Sequence, residues 1–71
     1  MKNQFTAYVQ REGEWFIATC PEVPEANGQG HSKQECLQSL AAAIELVFEE
    51  RRASALSELK SDAEEVLVAV G

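Results

Sequence analysis

Seventy-one residues make one domain, and six basic against twelve acidic side chains leave it a net charge of −6. That balance repels nucleic acid and anionic lipid and favours a basic partner. So short a chain buries only about 60% of its unfolded surface, so small domains lean on disulfides, metals or self-association.

Two cysteines and one histidine allow at most one disulfide and lack the paired spacing of a zinc site. The first apolar run, Trp15 to Cys20, is too short and too far along for a secretory leader, and no stretch is long enough to span a bilayer. These features predict a cytoplasmic protein with reduced thiols, no metal and no cofactor. Self-association, as a dimer or tetramer, is the remaining stabiliser.

Phe5 to Gln10 alternates apolar and polar residues and predicts a first strand. Gly13 in Arg11-Glu12-Gly13-Glu14 suits a tight turn, and Trp15 to Cys20 predicts the antiparallel partner. Pro21 and Pro24 cannot donate ladder hydrogen bonds, so 21–26 is expected as a surface loop. Asn27 to His31 predicts a short third strand, in which Gly28 and Gly30 mark a bulge or a close backbone contact.

Ser32 followed by Glu35 is a capping box. Leu37, Leu40, Ala41, Ile44, Val47 and Phe48 follow at helical spacing. No Gly or Pro ends the helix before Leu59, so its C-terminus is open. Glu65 to Val70 is nearly all apolar and predicts a last strand buried on both faces. The expected fold class is therefore α+β, in the order β-β-β-α-β, with one amphipathic helix on a three- to four-stranded sheet.

The second strand presents Trp15 and Ile17 on one face and Phe16, Ala18 and Cys20 on the other. One helix covers one face, which leaves an apolar face for an interface.

No pattern points to catalysis. His31 lacks an orienting partner in the sequence, Ser32 is committed to the cap, and Cys20 and Cys36 read as buried thiols. The glutamates are scattered over a turn, a loop and a helix rather than converging as in a metal nuclease. Arg51-Arg52 lies amid glutamates, so direct nucleic-acid binding is not expected.

Taken in order, Gly13-Glu14-Trp15, Cys20-Pro21-Glu22-Val23-Pro24, Gly30-His31-Ser32, Glu35 and the helix Leu40-Ala41-Ala42-Ala43-Ile44-Glu45-Leu46 resemble the HicB antitoxin family. The resemblance covers about residues 4–50, with the last strand matched by position. It implies a partial RNase H-like domain without nuclease carboxylates. It also implies dimers or higher oligomers, and neutralisation of HicA, a small basic mRNA-cleaving toxin. Glu25 stands where the family has Gly, and Cys36 where it has Ala. With the sequence ending at Gly71, the expectation is a single domain over 1–71 with no C-terminal DNA-binding domain. Glu22, Glu25, Trp15 and Phe16 are the candidate partner-binding residues, with Trp15 on the self-association face. The second reading is a stand-alone structural or regulatory oligomer without a toxin.

Overall fold

The computed structural model describes residues 4–70. Three strands, β1 (Tyr8–Glu12), β2 (Trp15–Thr19) and β3 (Asn27–Gly30), form an antiparallel sheet in the order β1-β2-β3. One helix, α1 (Lys33–Ser57), follows. The class is α+β.

The β1–β2 hairpin turns at Gly13, whose φ of +60° is the left-handed conformation that glycine adopts without strain. Its register sets Val9 opposite Ala18 and Glu12 opposite Trp15. β2 pairs with β3 through Phe16–Gly30 and Ala18–Gly28. Val9, Phe16, Ala18, Gly28 and Gly30 therefore share the face that meets α1. Gly28 allows that approach: a Cβ there would lie 2.5 Å from the Cys36 carbonyl oxygen and 2.6 Å from the Leu40 backbone nitrogen. Of the two expected roles for Gly28, the close backbone contact is the one observed.

Alternation from Phe5 predicts that β1 begins there, but the ladder starts at Tyr8. Tyr8 pairs with Thr19, the last residue of β2, and the chain then turns away at Cys20-Pro21. Residues 5–7 lie beyond the end of β2, so the alternation there has no partner strand on that side.

The 21–26 loop is also more than surface. The Val23 N–H donates to the Cys20 carbonyl at 3.1 Å and the Ala26 N–H to the Val23 carbonyl at 3.0 Å. These two turns fold Val23 and Ala26 inward, and both are buried with Cys20. The rest of the core is Ala18, Cys36, Leu40 and Ile44, with Phe5, Ala7, Val9, Phe16, Ala43 and Val47 packed around it.

The Ser32 half of the expected capping box forms, while the Glu35 side chain reaches one residue further back, to His31 rather than to the cap itself. Ser32 Oγ accepts the Glu35 N–H at 3.1 Å, and the Glu35 carboxylate accepts the His31 N–H at 2.9 Å. The helix runs unbroken to Ser57, about 37 Å in all. A five-residue strand spans only about 17 Å, so the sheet covers just the first half. Among the described residues, none after Val47 is buried or half-buried.

The expected final strand is absent. Residues 63–70 form no strand and are exposed. The apolar run has the composition of a strand, but strand geometry persists only where a neighbouring edge takes its hydrogen bonds. The molecule measures 53 × 26 × 15 Å, with a radius of gyration of 15.8 Å against about 11 Å for a compact chain of this length.

Candidate interaction surface

The helix covers one face of the sheet and leaves the other open. Alternation and register place Tyr8, Gln10, Glu12, Trp15, Ile17 and Gln29 together on that open face. Tyr8 and Trp15 are exposed and Ile17 is half-buried. At the hairpin end, the Trp15 indole stacks on the His31 imidazole, with ring centroids 4.0 Å apart and planes at 33°. The pair anchors a polar-rimmed aromatic platform. Glu12 is directly across the ladder from Trp15, and Glu14 precedes it in the turn.

The four candidate partner-binding residues do not converge. Trp15 lies on the open face. Phe16, the next residue, points to the helix side, half-buried, with the Arg11 guanidinium 5.5 Å from its ring centroid. Glu22 and Glu25 belong to the loop and make intramolecular contacts. Glu22 Oε1 accepts the Thr6 N–H at 3.0 Å, Oε2 accepts the Thr6 hydroxyl at 2.8 Å, and the Cys20 thiol donates to Oε1 at 3.3 Å. Hydrogen bonds from Thr6, the hydroxyl first and the backbone second, hold the Glu22 pKa down at about 2. Glu25 pairs with Arg51. Its pKa is lowered first by its own backbone N–H and then by Arg51. Both carboxylates pin the loop, Glu22 to the lead-in of β1 and Glu25 to α1.

Sequence reasoning missed the Glu22–Thr6 contact and the Trp15–His31 stack. Both join residues far apart in the chain, and only the strand register brings them together. The register that puts Phe16 opposite Gly30 places Trp15 opposite His31. Cys20 and Cys36 are buried free thiols. Among the described residues no group of three or more His, Cys, Asp or Glu side chains is arranged to hold a metal ion, and no helix is long and apolar enough to cross a membrane.

A concavity lies on the helix side. Phe5 and Ala7, leading into β1, face Leu37, Leu40, Ala41, Ile44 and Glu45 of α1 across a groove of about 300 Å³. The helix stripe is thus divided: Cys36, Leu40 and Ile44 are buried in the core, while Leu37 and Ala41 are exposed along the groove.

A three-stranded meander backed by one overlong helix, with an aromatic platform on its free face, defines a small α+β domain built around exposed surfaces. Over 52 residues the chain is 44% identical to the UPF0150 protein ssl0738 of Synechocystis sp., a match covering 72% of each chain. The chain belongs to the UPF0150 family. No protein-family model matches it, and no solved structure matches it.

Proposed function

We propose that the chain is a HicB-like antitoxin with a partial RNase H-like domain, acting in the cytoplasm to bind and neutralise a small basic HicA-type toxin that cleaves mRNA. The observation that carries this reading is the open sheet face, where Trp15 stands exposed beside Glu12 and Glu14. An aromatic anchor rimmed by carboxylates suits a cationic protein surface, through apolar burial, cation–π contact and charge steering. The net charge of −6 supports it, as does the ordered set of motifs from Gly13 to Leu46 within a UPF0150 chain. Glu22 and Glu25 already hold Thr6 and Arg51, so the partner's cations meet Glu12 and Glu14 instead. On this reading the chain is no enzyme and does not touch RNA itself. It blocks the toxin by covering it.

The test is to capture the tagged protein from its native lysate and identify what co-purifies. A stoichiometric small basic protein that high salt releases, and whose ribonuclease activity an equimolar amount of this chain abolishes, is the expected result. Full ribonuclease activity in the equimolar mixture would sink the proposal. A second reading, a stand-alone regulatory oligomer, draws on the exposed apolar residues of the C-terminal segment. Recovery of the chain alone would favour it.

A further inference from the structure

The chain has one tryptophan and one histidine, and the fold stacks them on each other. The ring centroids of Trp15 and His31 are 4.0 Å apart, with planes at 33°. The contact does not bury them: Trp15 stays 42% exposed and His31 is exposed beside it. The imidazole stands on a fixed backbone. The His31 N–H donates to the Glu35 carboxylate at 2.9 Å, and the next residue, Ser32, caps α1. The indole, on the first residue of β2, lies against this ring and shows its remaining surface to solvent.

We infer that His31 is a positioning residue for the open face, and that its protonation weakens the docking of a cation on Trp15. The inference rests on the open face being where a cationic partner docks. Backed by a neutral imidazole, the indole offers a cation the negative face of its free side. Glu12, across the ladder from Trp15, and Glu14, just before it, add negative charge. On the helix side the neighbouring charges are Glu35 and Lys33, and Arg11 lies over Phe16 on the other face of the sheet.

An imidazolium changes this balance in two ways. It engages the indole from behind, and it sets a like charge about 8 Å, two stacking distances, from the incoming cation. Repulsion at that separation, partly screened by solvent and salt, weakens docking on the order of 5-fold. Binding and protonation are reciprocal, so a docked cation also favours loss of the His31 proton. Histidine is the side chain whose charge changes between pH 8 and pH 5, whereas carboxylates as a class stay largely ionised there.

The test reads the pair first on the chain alone. An imidazolium quenches indole fluorescence more strongly than a neutral imidazole does. Trp15 emission should therefore fall between pH 8 and pH 5, in step with the His31 ring signals followed by NMR. It should stay flat in His31→Phe, which keeps a ring behind the indole but takes up no proton. The second measurement uses a peptide of alternating Arg and Gly as the probe, read at the Trp15 indole N–H. Wild type should bind it on the order of 5-fold more weakly at pH 5 than at pH 8. His31→Phe should lose that pH dependence, and at pH 8 should bind more tightly than His31→Ala, whose indole has no backing. Trp15 emission that ignores the His31 titration would overturn the inference. So would an equal loss of probe affinity in wild type and His31→Phe, which would place the effect on the carboxylates. Failure of the antitoxin reading looks different: a lysate that yields no basic protein leaves all of these signals in place.

Discussion

One carboxylate holds both polar donors of one residue: Glu22 accepts the Thr6 backbone N–H on Oε1 and the Thr6 hydroxyl on Oε2, at 3.0 and 2.8 Å. The contact ties the proline loop to the lead-in of β1 across sixteen positions of sequence. Folding depresses the Glu22 pKa from 4.5 to about 2. Between those values the folded chain binds fewer protons at this site than the unfolded chain, so stability rises with pH. The contribution is fully present above pH 4.5 and is lost as pH falls through about 2. Thermal melts of wild type and Glu22→Gln between pH 6 and pH 2 check this. The gap between their melting temperatures should be widest above 4.5 and close towards 2. A gap of constant width would show that the carboxylate does not hold Thr6 in solution.

The closest helix–sheet approach makes the second prediction. Gly28 meets backbone atoms of Cys36 and Leu40 at distances no Cβ tolerates, and those atoms belong to the helix ladder and cannot swing aside. Gly28→Ala must separate α1 from β3 and should cost roughly 1–3 kcal/mol as overpacking does. At Gly13 a methyl group would meet nothing within 4 Å, and only the φ of +60° is at stake. Gly13→Ala should cost about 1–2 kcal/mol while leaving the core intact. Urea unfolding measures both losses. Gly28→Ala should also perturb near-ultraviolet signals from packing, which Gly13→Ala should not.

Cap removal tests the local code of the helix. Ser32→Ala deletes the acceptor of the Glu35 N–H and should lower stability by about 1 kcal/mol. Ser32→Asp should restore most of it, because a carboxylate both caps the turn and suits the positive end of the dipole. Equal stability of the Ala and Asp variants would mean the cap contributes nothing here.

This contrast between local and non-local signals explains which parts of the fold are legible from sequence. The hairpin is written locally: Gly13 in a turn between two alternating runs. So is the start of α1, in Ser32 and Glu35. Residues 5–7 and 65–70 carry equally good strand patterns, yet neither forms a strand. A strand needs a partner edge, and edges are set by register and helix length, which no short window contains. Val23 enters the core for a related reason: two backbone turns, at 3.1 and 3.0 Å, reverse what two prolines imply. For the candidate surface, Trp15 is readable as the residue of an uncovered face. Glu22 and Glu25 are readable only as exposed acids, because their partners Thr6 and Arg51 lie 16 and 26 residues away.

Trp15 decides between the two uses of the exposed surfaces. Its ring stacks on His31 rather than in the core, so Trp15→Ala should leave the unfolding midpoint within a small margin of wild type. Aromatic anchors at interface centres commonly contribute about 2 kcal/mol or more, which is on the order of a 30-fold weaker Kd. If the open face receives a basic partner and any homodimer is built on another surface, Trp15→Ala should lose capture of that partner while keeping the homodimer mass. Glu12→Gln/Glu14→Gln should then steepen the loss at low salt and matter less at high salt, because screening already removes most of a rim charge's effect. If Trp15→Ala instead halves the homodimer mass and spares partner capture, the open face is where two copies meet. The basic partner must then dock elsewhere.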